Sequence, residues 1–270
     1  MTIAIIGGSG LDEIDYLENV SQLKKHTPYG EHSAPLTVGQ LNNMPVVFLP
    51  RHGGAHEHPP HKVNYRANMW LLKSLNIKTI VAVNVVGGIT QKMSPGTLLV
   101  PHQIIDYTSA REHTFFDGQS FINDVNDAAF DSHFFSTVSQ LPVVHYIDFT
   151  QPYSEVVRQQ LITFLHNESI THISDGVYGC TQGPRLETVA EISKLKKDGC
   201  DVVGMTAMPE AALARELAMD YVSLSLVVNW APGIKEESLS MEEIYLAINS
   251  GMGKIRQLLP KLLAFFELVH

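Results

Sequence analysis

Apolar residues in this chain fall into short continuous runs that alternate with segments of helical periodicity. The runs are rich in Val, Ile and Leu, as in buried strands of parallel sheets. They predict strands at 3–6, 36–41, 45–49, 79–86, 96–101, 103–107, 170–180, 201–203 and 221–229. Apolar spacing and capping patterns predict helices at about 63–75, 154–166, 188–197 and 209–219 and from 240 onward, with a kink or break at Pro260. Alternating strands and helices indicate one three-layer α/β/α domain over residues 1–270.

Residues 108–150 are the least regular part of the pattern, with Asp, Asn, His and aromatic residues mixed together. A loop of this length in a compact chain is usually functional or covered by a partner. The helix that follows carries Val156, Val157, Leu161 and Leu165 on its predicted apolar face.

Composition narrows the classes of function. With a net charge of −9 and no block of Lys or Arg, the chain is not expected to bind nucleic acid. Its apolar runs are too short to span a membrane, and the N-terminus lacks the basic region of a signal peptide. Cys180 and Cys200 are expected to pack as small apolar groups in a reducing compartment, although a disulfide between them stays open. We therefore expect a cytoplasmic protein with no membrane partner.

Several turns after predicted strands carry groups that suit an anion. The turn Gly7-Gly8-Ser9-Gly10 offers backbone N–H groups and a hydroxyl, although it also fits a plain turn. Arg51 and His52 follow another strand and offer a bidentate guanidinium fork and a further donor. Thr206 either holds an anion at a helix N-terminus or simply caps that helix.

The histidines that follow Arg51 raise the question of a metal site. His56, His58 and His61 join His52 in a short tract, but Pro59-Pro60 and Gly53-Gly54 interrupt the spacing that metal ligands need. We therefore expect neither a metal nor another cofactor.

Two polar side chains suit recognition of a planar ligand. Asn229 ends the strand at 221–229, and ligands of open α/β sheets lie at such strand ends, but Asn is also a common turn residue. Glu187 follows Gly183-Pro184-Arg185-Leu186 ahead of a helix, where a solvated carboxylate in the first turn is the alternative. No Ser-His-Asp set or nucleophilic Cys pattern stands out, so catalysis by positioning and electrostatics is expected.

Six ordered motifs resemble the trimeric purine nucleoside phosphorylase and methylthioadenosine phosphorylase family along nearly the whole chain. They are Ile-Ile-Gly-Gly-Ser-Gly at 5–10, Pro-Arg-His-Gly at 50–53, Lys-Val-Asn-Tyr-Arg-Ala-Asn at 62–68, the segment 84–88, Gly-Pro-Arg-Leu-Glu at 183–187 and Gly-Met-Thr-Ala-Met-Pro-Glu at 204–210. The resemblance implies a mixed central sheet, a homotrimer with sites near subunit interfaces, and inorganic phosphate as a co-substrate. Residues 108–150, with Tyr146 among them, would then cover a neighbouring subunit's site.

The resemblance also implies a role for each matching residue. The implied phosphate ligands are Ser9, Arg51, His52, Thr206 and the backbone around Asn84 and Val85. Met205 would lie under the ribose, Val86 and Leu186 would line the base pocket, and His56 would approach the phosphate and sugar. Trp230 and Ala231, beside Asn229, are assigned to the same substrate site.

Four positions indicate which purine nucleoside is used. In the family that this chain resembles, members that take 6-aminopurines carry Asp at the positions of Asn229 and Ala231. An amide at 229 can donate to N7 or O6, and Glu187 can accept the N1–H, which favours a 6-oxopurine. Met241 replaces a His that meets a 5′-hydroxyl, which favours a methylthio group, unless Met241 packs in the helix core instead. The expected reaction is phosphorolysis of S-methyl-5′-thioinosine to hypoxanthine and 5-methylthioribose 1-phosphate, with Asn229 and Glu187 as the catalytic residues.

Other functions stay as alternatives. Within the family these are general phosphorolysis of inosine and guanosine, and phosphorolysis of methylthioadenosine with an altered base reader. Among other classes, a dinucleotide-binding protein is disfavoured because Glu13 stands where the third glycine of the fingerprint should be. A non-catalytic nucleoside sensor and a nucleoside hydrolase are also considered, although a hydrolase needs no phosphate site.

Overall fold

The computed structural model describes residues 3–117, 144–236 and 240–269. The strands are β1 (Ile3–Gly7), β2 (Glu18–Leu23), β3 (Leu36–Leu41), β4 (Met44–Pro50), β5 (Thr79–Gly88), β6 (Leu98–Leu99), β7 (Gln103–Asp106), β8 (His172–Ile173), β9 (Val177–Cys180), β10 (Val202–Gly204) and β11 (Asp220–Trp230). The helices are α1 (Tyr65–Ser74), α2 (Glu155–Asn167), α3 (Val189–Lys197), α4 (Ala207–Glu216) and α5 (Met241–Val269).

Within the described residues, eleven strands form one mixed sheet in the order β2-β3-β4-β1-β5-β10-β9-β7, with β11 pairing β5 and β6, and β8 pairing β6. β1 runs parallel to both β4 and β5, and β5 runs parallel to β11. The carboxyl ends of β1, β4, β5 and β11 therefore meet at one edge of the sheet. Such an edge is where open α/β sheets bind ligands.

Helices cover both faces of the central strands. Successive side chains of a strand point to opposite faces of the sheet, so each central strand packs against both helical layers. Ala4 and Ile6 of β1 pack into the apolar cluster that includes α1 and α4. Ile3 and Ile5 pack into the opposite cluster, which includes α2 and α5. This arrangement confirms the predicted three-layer α/β/α architecture with a mixed central sheet.

Four details differ from the sequence-based expectation. β2 was not predicted, because it is an exposed edge strand with little apolar alternation. The predicted strand at 170–180 is two strands, since β8 pairs β6 whereas β9 pairs β7 and β10. Val156 is exposed, because the apolar face of α2 is formed by Val157, Leu161, Phe164 and Leu165. Pro260 does not break the last helix, since α5 continues through it on a row of buried leucines.

Both cysteines are free and buried, as their predicted role as small apolar groups requires. Among the helices that the structure describes, none combines the length and apolar character needed to cross a bilayer.

Candidate active site

A pocket opens at the carboxyl edge of the parallel strands and collects nearly all of the predicted site residues. The predicted residues that line it are Ser9, Arg51, His52, His56, Asn84, Val85, Val86, Leu186, Glu187, Met205, Thr206, Asn229, Ala231 and Met241. They come from segments that are far apart in sequence, so their convergence is a result of the fold. Whether each one binds phosphate or nucleoside stays a prediction.

The glycine turn after β1 brings backbone very close to the buried side of the pocket. A Cβ on Gly8 would lie 2.6 Å from the carbonyl oxygen of Val83 and 3.1 Å from Nη1 of Arg51. The turn is closed by the N–H of Leu11, which donates to Gly8 O at 2.9 Å. A side chain at position 8 would therefore push the turn away from Arg51 and open the floor of the pocket.

Arg51 is fully buried, and the edge of its guanidinium formed by Nε and Nη2 is bonded to another side chain. Its Nε and Nη2 donate to the two carboxylate oxygens of Glu210 at 2.7 and 2.8 Å. Burial lowers the pKa of Arg51, but the Glu210 carboxylate more than offsets this and holds the pKa above its usual value. The Nε/Nη2 edge of the guanidinium is therefore engaged with Glu210, and the expected contact of Arg51 with phosphate stays a prediction. Nη1, which also donates to Val83 O at 3.2 Å, is the nitrogen left near the glycine turn.

His52 offers the pocket a hydrogen-bond acceptor, whereas the sequence suggested a donor. Its Nδ1 is 2.8 Å from the carbonyl oxygen of His58, which can only accept, so Nδ1 carries the proton. Burial lowers the pKa of His52 to about 3, and the positive charge of Arg51 acts in the same direction. His52 is therefore neutral at pH 7, and its Nε2 presents a lone pair rather than the donor that the sequence suggested.

Thr206 belongs to a buried polar chain rather than to a simple helix cap. It occupies the position before α4, yet its side chain makes no capping hydrogen bond. The amide of Asn84 donates to Thr206 Oγ1 at 2.7 Å, and Ser223 Oγ donates to Asn84 Oδ1 at 3.0 Å. These contacts fix the rotamers of Asn84 and Thr206 and leave the Thr206 hydroxyl proton available to an acceptor in the pocket.

At one end of the pocket, Glu187 and Asn229 present polar groups. Glu187 is 9% exposed and precedes α3, so the alternative of a solvated first-turn carboxylate is wrong. Thr181 Oγ1 donates to Glu187 Oε1 at 2.6 Å. Asn229 donates one amide hydrogen to the carbonyl of Trp230 at 2.7 Å, as a turn residue does, but keeps a second hydrogen and Oδ1.

Trp230 is a predicted substrate residue that the structure does not bring to this pocket. Its neighbours Val228, Asn229 and Ala231 all line the pocket, but Trp230 does not. Trp230 instead lines a neighbouring depression, where Lys235 Nζ lies 5.0 Å from the centre of the indole ring.

At the other end, the first residues of α5 supply apolar surface. Met241 is 51% exposed and lines the pocket together with Ile244 and Ile248, so it does not pack in the core at the helix start. His56 joins this end from the loop after β4, with Nε2 3.5 Å from Ser9 Oγ. Its Nδ1 lies 3.6 Å from Asp12 Oδ1, which orients the ring.

Sequence reasoning missed three residues that hold the site in place: Glu210, Thr181 and Arg111. Glu210 was visible as an acid within the apolar first turns of a helix, a pattern that does not show which residue it pairs with. Thr181 and Arg111 gave no comparable signal, because both lie in irregular segments. Among the described residues, no three His, Cys, Asp or Glu side chains form a group that could hold a metal ion.

The chain belongs to the phosphorylase superfamily, whose family model matches residues 2–264. A relative from Pseudomonas syringae pv. tomato, named "Probable S-methyl-5′-thioinosine phosphorylase", is 47% identical over 265 residues, covering 98% of this chain and 99% of that protein. The 6-oxopurine nucleoside phosphorylase of Pyrococcus furiosus is 41% identical over 242 residues, covering 90% of this chain and 84% of that protein.

Solved structures show the same fold. The methylthioadenosine phosphorylase of Schistosoma mansoni, solved in complex with adenine, is similar with a TM-score of 0.87 and 30% sequence identity, covering 99% of this chain and 92% of that chain. The protein therefore has the α/β nucleoside phosphorylase fold, and the predicted family is confirmed.

Proposed function

We propose that this protein is a pentosyltransferase that catalyses phosphorolysis of S-methyl-5′-thioinosine to hypoxanthine and 5-methylthioribose 1-phosphate. One observation carries the proposal: a single pocket holds Glu187 and Asn229 together with Met241, and has Ala231 beside Asn229. The first pair suits an oxopurine, and the thioether suits an apolar 5′ substituent. The name of the relative from Pseudomonas syringae supports the same substrate.

The base would be read by complementary hydrogen bonds. Glu187 accepts the N1–H of a 6-oxopurine, and the amide of Asn229 donates to N7 or O6. As the glycosidic bond lengthens, negative charge develops on the purine, and the donor at N7 stabilises it. A 6-aminopurine would set its unprotonated N1 against the carboxylate, so the two groups favour oxopurines.

Inorganic phosphate would bind between the glycine turn and α4. Its donors would be Ser9, Thr206, Nη1 of Arg51 and the backbone N–H groups around Val85. Since His52 is neutral and Nδ1 carries its proton, Nε2 would accept the phosphate O–H. The bound anion attacks the anomeric carbon and stabilises the oxocarbenium character of the sugar, whose face lies on Met205.

The second candidate is a general 6-oxopurine nucleoside phosphorylase, which the relative from Pyrococcus furiosus favours. The two candidates share the base readers and differ at Met241. We also propose that the protein is a cytoplasmic homotrimer. Tyr146, which is 90% exposed, is the kind of side chain that a neighbouring subunit would cover.

A substrate panel tests the function. Release of free base would be measured from S-methyl-5′-thioinosine, S-methyl-5′-thioadenosine, inosine and guanosine, with and without phosphate. We expect phosphate-dependent release, fastest from S-methyl-5′-thioinosine. Equal release without phosphate would contradict phosphorolysis, and fastest release from S-methyl-5′-thioadenosine would contradict the assignment of the base.

The sugar assignment predicts the result of Met241→His. The variant replaces an apolar contact with a hydrogen-bonding group, so kcat/KM for S-methyl-5′-thioinosine relative to inosine should fall about tenfold. Leu246→His is the matched control, because Leu246 is 63% exposed on the same helix and lies outside the pocket. An unchanged ratio in Met241→His, or equal use of both nucleosides by the unmodified protein, would show that Met241 does not read the 5′ group.

A further inference from the structure

Thr181 stands directly behind the carboxylate that faces the base end of the pocket. It follows β9, and its backbone N–H donates to Gly204 O at 2.8 Å, so its position is tied to β10. Its hydroxyl is 2.6 Å from Glu187 Oε1 and 3.3 Å from Gly204 O. Thr181 itself does not line the pocket, whereas Glu187 does.

The hydroxyl of Thr181 has one proton and two oxygen atoms within reach. The carboxylate is the closer acceptor and carries charge, so the proton is donated to Glu187 Oε1. Within the described part of the chain, Glu187 has no other side-chain hydrogen bond. Thr181 therefore sets the rotation of the carboxylate and leaves Oε2 as an acceptor without a protein partner.

The segment that carries Glu187 has few other constraints on this side chain. Arg185, two residues earlier, is directed to Glu191 and not to Glu187, with Nη2 2.7 Å from Glu191 Oε1. Thr188 and Glu191 form the capping box of α3. Arg185 and Thr188 are thus both bonded to Glu191 of α3, and the hydrogen bond that orients Glu187 comes from Thr181.

We propose that Thr181 is a positioning residue that fixes Glu187 as the acceptor for the N1–H of a 6-oxopurine. The proposal rests on the proposed function and extends it, because it assigns part of the base preference to a residue that does not touch the substrate. A carboxylate that is free to rotate would meet the N1–H less often in the geometry that the departing base needs.

The test compares Thr181→Val, Thr181→Ser and Thr114→Val. Valine keeps the shape of threonine and removes the hydroxyl, and serine keeps the hydroxyl. Thr114 is the matched control, because its hydroxyl makes an equivalent 2.6 Å hydrogen bond to Glu216 Oε1 away from the pocket. The measurements are kcat/KM for S-methyl-5′-thioinosine and KM for phosphate.

In Thr181→Val we expect kcat/KM for the nucleoside to fall about tenfold, the effect of losing a hydrogen bond to a charged group. KM for phosphate should be unchanged, since phosphate would bind between the glycine turn and α4 and not at Glu187. Thr181→Ser should recover most of the activity, and Thr114→Val should behave as the unmodified protein. These results together would support the proposal.

Two results would overturn it, and they differ from failure of the function itself. If Thr181→Val matches Thr114→Val while the unmodified protein is active, Thr181 does not position Glu187. If Thr181→Val and Thr181→Ser lose activity equally, and KM for phosphate rises with that loss, the role is structural. Absence of turnover of S-methyl-5′-thioinosine by the unmodified protein would instead reject the proposed function, and this inference with it.

Discussion

Replacing Glu210 with Gln is expected to lower the free energy of unfolding by about 3–5 kcal/mol, because it leaves the buried charge of Arg51 without its counter-ion. Both side chains are inaccessible to solvent, and the two hydrogen bonds between them are 2.7 and 2.8 Å long. Glu210 also accepts a hydrogen bond from Tyr221 at 2.8 Å. Gln preserves the size of the side chain, so the loss of unfolding free energy measures the contribution of the charge on Glu210.

Urea unfolding of the variant beside Glu155→Gln measures this effect. Glu155 is the matched control, because it forms a similar bidentate pair with Arg158, at 2.6 and 2.9 Å, but its side chain is 44% exposed. Only the Arg158 side of this pair is buried, and the Glu155 carboxylate keeps contact with water, so the control should lose less, about 1 kcal/mol. Equal losses in the two variants would show that burial of the Arg51–Glu210 pair does not decide its contribution.

A double variant separates the stability of this pair from its use in the pocket. Arg51→Met combined with Glu210→Leu removes both buried charges and should recover much of the lost stability. It should not recover turnover, because the positive charge beside the glycine turn is gone. A double variant that regained both stability and the KM for phosphate would show that Arg51 takes no part in binding phosphate.

The sequence predicts the strands and most of the pocket for a shared physical reason. A run such as 221–229 is apolar because it is buried on both faces, and it ends in Asn229 because the strand end meets the pocket. Strand ends are visible in a single sequence, so the residues at those ends can be proposed as ligand contacts from the hydrophobic pattern alone.

The hydrophobic pattern does not show which side chains from distant segments of the chain pair with each other. Arg51 and Glu210 are separated by 159 positions, and nothing in either local pattern indicates that one neutralises the other. The sequence therefore could not show that Glu210 engages the Nε/Nη2 edge of the Arg51 guanidinium. Trp230 was assigned to the substrate site with its neighbours, whereas the structure places it in an adjoining depression.

Arg111 is the strongest case of a residue that only the structure identifies. It is 8% exposed, and its guanidinium donates to the carbonyls of Met205 at 2.9 Å, Met208 at 2.6 Å, Gln182 at 2.8 Å and Thr181 at 3.2 Å. These carbonyls belong to the two segments that carry the predicted sugar and base contacts. Arg111 thus joins the segment before Glu187 to the segment that holds Met205.

We expect Arg111→Met to lower kcat/KM by about 100-fold, because a shift of roughly 1 Å between the two joined segments misplaces the sugar against the base. Arg158→Met is the matched control: Arg158 is 9% exposed and bonded to Glu155 and Ser174, but it lies outside the pocket. Both variants lose a buried guanidinium, so thermal unfolding should show destabilisation in each. Only Arg111→Met should lose activity at a temperature where both remain folded, and Arg111→Lys should fall between it and the unmodified protein. Similar activity losses in the Arg111 and Arg158 variants would mean that Arg111 stabilises the fold without positioning the site.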